Sequence, residues 1–181
     1  MSSEPLQLQR LHRSAHEEQY LAFATEIRDR GEGGFDRLEM LFSDIDEYFD
    51  LVHRFEHDEE LPNQWVNMSH FVFFVGPQLV GTSRLRHRLS PWLELDGGHI
   101  GYHVRPSQRR RGYATEMLRQ TLEEAHRMGI PKALLTVATT NAPSIRVVEK
   151  NGGLFDKETL SPRSGETMHR YWIDTAPERR P

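Results

Sequence analysis

The chain has no cysteine among its 181 residues, which excludes disulfides, thiolate metal sites and a cysteine nucleophile together. It lacks any apolar run near the ~20 residues a membrane helix needs, and it lacks a charged, apolar, small-residue leader of the secretory kind. A cytoplasmic setting with no membrane partner is the expectation. Charge of one sign is also scarce: 23 Lys and Arg against 27 Asp and Glu leave a formal net charge of −4. That balance gives nucleic acid no hold on the chain. Histidines at i,i+4 spacing occur twice, His12/His16 and His53/His57. Neither belongs to a His-Glu-x-x-His pattern, so both read as solvated helix faces and no metal is expected.

What remains suits one well-packed domain over residues 1–175, followed by a mobile tail over 176–181. Residues 6–11 alternate as a strand does. A capping box at residues 14–17 opens a helix running to about residue 30. A second helix begins near Ser43 and carries Ile45, Phe49, Val52 and Phe55 on one face. Residues 68–75 are strongly β-prone and stop at Gly76-Pro77, so with residues 78–89 they predict an antiparallel hairpin. Residues 93–104 supply the next strand and 110–128 a helix. Residues 132–138 form a buried strand, Asn141 caps a short helix, and residues 154–160 and 167–173 are closing strands.

One stretch carries more chemistry than the rest: Val-Arg-Pro-Ser-Gln-Arg-Arg-Arg-Gly-Tyr-Ala, from Val104 to Ala114. A strand that ends in a glycine-containing turn and feeds a helix sets several unpaired N–H groups side by side, at the positive end of the helix dipole. Three arginines add positive charge. The expected guest is a phosphate or pyrophosphate. No Gly-Lys-Ser/Thr follows and the pattern is not G-x-G-x-x-G, so neither nucleotide fingerprint applies.

The spacing Arg109-x-x-Gly112-x-Ala114 resembles the acyl-coenzyme A pyrophosphate loop of the GNAT superfamily of N-acetyltransferases. A second segment, Asn141-x-x-Ser144 followed by a short helix and Lys150-Asn-Gly152, resembles that family's Asn-x-x-Ser/Ala segment. Within the superfamily, the run from Gly97 to Pro106 and the late Arg170 to Ile173 resemble a subgroup of acetyltransferases with unknown acceptor. The resemblance implies an α/β (α+β) fold: a mixed central β-sheet with a splayed strand pair and helices on both faces. It implies a pantetheine arm bonded to backbone at Tyr102, His103 and Val104. The diphosphate would sit on N–H groups of Arg109, Arg110, Arg111, Gly112, Tyr113, Ala114 and Thr115, with Asn141 and Ser144 near the cofactor arm. The implied reaction is direct attack of a primary amine on acetyl-coenzyme A in a ternary complex, with a strand N–H near Val104 stabilising the oxyanion.

The usual catalytic glutamate and tyrosine of the family fall on Thr136 and Val148, and neither relays a proton. Replacements are His99, His103 and His87, whose ordinary pKa suits proton relay, or Tyr102 as the acid for the departing thiolate. A non-catalytic acyl-coenzyme A sensor is the alternative reading, supported by those two losses. Arg84, Arg86 and Arg88 on one strand face point to a third, a succinyl or malonyl donor. The acidic residues 56–60 read as a solvated helix end or as an attractor for a cationic acceptor. Loops at residues 31–42, 61–67 and 162–165 are expected to set the acceptor, and an exposed late strand suits a homodimer.

Overall fold

A computed structural model describes residues 4–32, 37–57, 61 and 65–176. The chain opens with β1 (Gln7–Arg10) and α1 (Arg13–Asp29). The capping box over residues 14–17 does not form. The helix starts two residues earlier, at Arg13 with His12 as cap in place of Ser14, and the His12 N–H donates to Nδ1 of the buried His16 at 3.0 Å. The ring of His16 therefore closes the first turn from inside, packed 5.6 Å from the Phe74 ring.

The helix read from near Ser43 forms as α3 (Ile45–His57), and a short helix, α2 (Leu38–Ser43), precedes it in the stretch read as a loop. Asp44, at φ −150° and ψ 87°, leaves the helical region, and its carboxylate accepts from the Glu47 N–H at 3.0 Å. A residue that bonds its own downstream backbone starts a new helix. The hairpin of β2 (Met68–Val75) and β3 (Gln78–Arg86) forms as read, turned by Gly76 at φ +55°.

Residues 93–104 are not one strand. Ser90 accepts from the Leu93 N–H and Pro91 follows it, a start signal that opens the short α4 (Pro91–Leu95). Only after Gly97 and Gly98, both at positive φ, does β4 (Ile100–Val104) begin. A 3-10 turn (Pro106–Gln108) leads to α5 (Tyr113–Arg127). That helix starts later than residue 110 because Arg110 at φ +64° and Gly112 at φ +83° are left-handed. β5 (Lys132–Ala138), α6 (Ala142–Lys150), β6 (Leu154–Leu160) and β7 (Thr167–Asp174) complete the order.

All paired strands are antiparallel and fall into two sheets, β1-β2-β3-β4 and β5-β7-β6. One core lies between these sheets and α5–α6, around Phe71, Met117, Leu118, Leu135 and Ile173. A second lies under α1–α3, around Phe23, Ile27, Phe49 and Val72. Helices thus cover both faces, and each such fully buried side chain contributes about 1.5–3 kcal/mol. The two sheets meet where the His99 N–H donates to the Leu134 carbonyl at 2.7 Å and the Leu134 N–H donates to His99 Nδ1 at 2.9 Å. Beyond that junction β4 and β5 part, which is the splayed pair read from the sequence.

Candidate active site

The parting of β4 from β5 makes a cleft of about 820 Å³, lined by Tyr102, His103, Thr136, Asn141 and Ser144 among others. The backbone of β4 faces it in a definite phase. The His99 carbonyl accepts from Arg86 and the Arg105 N–H donates to Val80, both on the β3 side. In an antiparallel ladder bonding direction alternates. Residues 101 and 103 therefore bond to β3, while Tyr102 and Val104 turn their backbone groups to the cleft. His103 accordingly offers the cleft its side chain and not its amide, which corrects one of the three backbone positions read from the sequence.

At the far end of β4 the anion cradle is in place. Among the described residues, the N–H groups of Arg110, Arg111, Gly112, Tyr113 and Ala114 donate to no protein acceptor; Arg109 donates weakly to Pro106 at 3.5 Å and Thr115 to Gly112 at 3.1 Å. A Cβ at Gly112 would meet nothing within 4 Å, so glycine is required there by its φ of +83° and not by lack of room. These orphan donors and the open edge of β4 are what a diphosphate-bearing arm requires.

The arginines of the turn differ in their freedom. Arg109 is pinned: its Nη1 bonds Glu32 at 2.8 Å, its Nη2 also bonds Glu32, and its Nε donates to the Val104 carbonyl at 3.3 Å. Arg105 and Ser107 are tied in the same way to Glu26, at 3.1 and 3.0 Å. The α1 helix and the residues just after it thereby hold the cofactor turn. No sequence reading found Glu26 or Glu32, because each lies more than seventy positions from its partner, at 79 and 77 residues. Arg110 and Arg111 are exposed.

Asn141 caps α6 through its side chain, which accepts from the Ser144 N–H at 3.2 Å. The two family positions that have lost their catalytic groups are structural here. Thr136 Oγ1 accepts from the Gly97 N–H at 2.8 Å, and Val148 is fully buried.

The structure sorts the four titratable candidates. His99 is buried, its Nδ1 is occupied by Leu134, and burial aided by the Arg86 charge lowers its pKa to about 4. His87 bonds Ser69 at 3.0 Å and is held below its usual pKa by burial and Arg10; it does not line the cleft. His103 does line it, on the face covered by α1–α3. Tyr102 enters from the other face. Its hydroxyl is buried with no hydrogen-bond partner among the described residues. Burial raises its pKa, and Ser144 is near enough to oppose that rise without making a bond of good geometry.

Arg84 and Arg86 reach the cleft wall, whereas Arg88 lies past the end of β3 and is exposed. Arg163 stacks over Trp92 and joins Asp96. Of the loops expected to set the acceptor, residues 33–36 and 62–64 lie outside the described residues, as do 58–60 of the acidic run and 177–181 of the tail. No helix among the described residues is long and apolar enough to cross a membrane.

Comparison with known proteins agrees with this geometry. No curated protein matches the chain in sequence. The fold is that of RimL, a ribosomal alpha-N-protein acetyltransferase solved with coenzyme A, at 15% identity and a TM-score of 0.71 over 98% of this chain and 97% of that one. It is also that of a spermidine N-acetyltransferase from Vibrio cholerae solved with coenzyme A and spermine, at 15% identity and 0.65 over 94% and 96%. Residues 38–153 match the acetyltransferase (GNAT) family itself. With the splayed cleft and the orphan amides of its turn, the chain belongs to that family and is an N-acetyltransferase that uses acetyl-coenzyme A.

Proposed function

We propose that the chain acetylates a primary amine by direct attack within a ternary complex. In the transfer a C–N bond forms, the C–S bond breaks, the amine loses a proton and the thiolate gains one. Acetyl-coenzyme A supplies the activated acyl group. The turn from Arg109 to Thr115 holds the diphosphate, the Tyr102 and Val104 backbone groups align the arm, and Asn141 and Ser144 border it.

His103 and Tyr102 divide the proton traffic, one on each face of β4. His103, on the α1–α3 side, takes the proton that an ammonium near pKa ~10.4 must give up. The Tyr102 hydroxyl gives one to the thiolate. Its raised pKa keeps it protonated at neutral pH, as an acid must be. The buried hydroxyl of Tyr102, with no hydrogen-bond partner of good geometry among the described residues, carries this reading: such a donor is fitted to an acceptor that arrives with the substrate. His99 and His87 serve the fold.

Thiol release from acetyl-coenzyme A and a panel of amines tests the proposal. Turnover is expected, and His103→Asn should cut kcat more than about tenfold while coenzyme A affinity is kept. Tight coenzyme A binding with no turnover on any amine would instead favour the sensor reading. A homodimer has support in β6, an edge strand that exposes Leu154, Phe155 and Leu160; sedimentation equilibrium decides it.

A further inference from the structure

The two acids that grip the cofactor turn have the wrong charge for its ligand. Glu32 accepts from both Nη groups of Arg109. Glu26 accepts from the Ser107 N–H at 3.4 Å, the Ser107 hydroxyl at 3.0 Å and Arg105 Nε at 3.1 Å. Each carboxylate thus stands one side chain away from the cradle, a distance comparable to the ~8 Å screening length at physiological salt. As charges alone they repel a diphosphate. The fold gains little from them either, because an ion pair as exposed as Glu32–Arg109 adds little to stability.

What the acids hold is geometry. Arg109 runs from Glu32 to the last residue of β4, where its Nε donates to the Val104 carbonyl at 3.3 Å. Arg105 runs from Glu26 to β3, where its Nη1 donates to the Leu79 carbonyl at 3.2 Å. The chain is thereby fastened at residues 104, 105, 107 and 109, directly before the orphan N–H groups. The next residue, Arg110, stands left-handed at φ +64°. An L-residue keeps that conformation only where its surroundings impose it. The Arg109 contact holds Glu32 below the usual carboxylate range. Burial alone would raise Glu26, but Ser107 and Arg105 hold it below that range as well. Both acids are ionised when a cofactor arrives at neutral pH.

We propose that Glu26 and Glu32 are positioning residues for coenzyme A, setting the turn's amides for the diphosphate through Arg105, Ser107 and Arg109. The Arg109 side chain belongs to that clamp and does not touch a phosphate. The inference rests on the acetyl-transfer reading above, whose cofactor site it deepens. Its consequence runs against simple electrostatics. Removing a negative charge beside an anionic ligand, and freeing an arginine with it, should tighten binding if charge were all that mattered. Here it should weaken binding, because the amides lose their common aim.

Calorimetry of coenzyme A binding to the full chain tests this, with urea unfolding to certify that each variant is folded. A glutamine accepts at one atom only, so Glu32→Gln breaks the fork to Arg109. It should bind coenzyme A about tenfold more weakly than the parent, and Glu26→Gln about fivefold. Arg109→Gln should be at least as weak as Glu32→Gln, since it also leaves that acid unpaired. The double variant Glu32→Gln with Arg109→Gln should stay within about threefold of Glu32→Gln alone, because one clamp is lost only once. That double variant conserves net charge, so its affinity should depend on salt as the parent's does. Unchanged or tighter binding in either acid variant overturns the proposal. So does a double variant a further tenfold weaker than Glu32→Gln, or one with a flatter salt dependence, since either would put the Arg109 guanidinium on a phosphate. If one acid variant does not fold, the other decides the question. Failure of the underlying reading would look different, because the parent chain itself would take up no coenzyme A.

Discussion

The Tyr102 hydroxyl and the His99 ring are both buried polar groups of one segment, and they answer opposite needs. A buried hydroxyl without a partner costs about 1–3 kcal/mol. Tyr102→Phe should therefore leave the protein as stable or more so in urea unfolding, while kcat falls more than about tenfold and coenzyme A affinity holds. A variant that loses stability together with activity would return Tyr102 to a packing role. His99 behaves otherwise. Its folded pKa of about 4 lies below its ordinary 6.5. Between those values the unfolded chain binds more protons than the folded one, so stability falls as pH drops through that window. The full effect is on the order of 3 kcal/mol. His99→Asn keeps an acceptor for the Leu134 N–H but cannot titrate, so unfolding free energies at pH 7 and pH 4.5 should differ less than in the parent.

At the scale of elements, the turn between β4 and α5 carries a prediction of its own. No protein atom crowds Gly112, and its left-handed φ is what calls for glycine there. Gly112→Ala should cost about 1–2 kcal/mol of turn geometry, read by calorimetry as roughly tenfold weaker coenzyme A binding with little change in global stability. The turn itself was legible because a strand end, a glycine and a helix start are local signals. So were β2, β5 and α6, each bounded by composition at its own ends. The false strand over residues 93–97 arose from apolar periodicity that the Ser90-Pro91 start signal outranked. The start of α3 after Asp44 is likewise a side chain bonding backbone ahead of it. Glu26 and Glu32 could not be read at all, since their roles exist only when distant segments meet.

At the scale of the whole molecule, the site is the consequence of two sheets that touch at one point. The cleft opens because β4 and β5 are joined at His99 and Leu134 and diverge from there, so whatever alters the joint alters the angle. Gly98 sits in it at φ +56°, and a Cβ would lie 2.3 Å from the Leu134 carbonyl oxygen, a backbone atom with no easy retreat. Gly98→Ala should therefore lower stability by on the order of 3 kcal/mol, from left-handed strain plus overpacking. Gly153 provides the comparison, because a Cβ there would meet the Val148 side chain at 2.5 Å and its carbonyl oxygen at 2.9 Å, at the end of α6 remote from Asn141. Both variants should lose stability in urea. Only Gly98→Ala should also weaken coenzyme A binding by about tenfold or more at temperatures where each is still folded, since only it wedges the strands that the arm must bridge. Equal losses of affinity in the two variants would mean that the joint sets stability alone and that the cleft takes its width from the helices on either side.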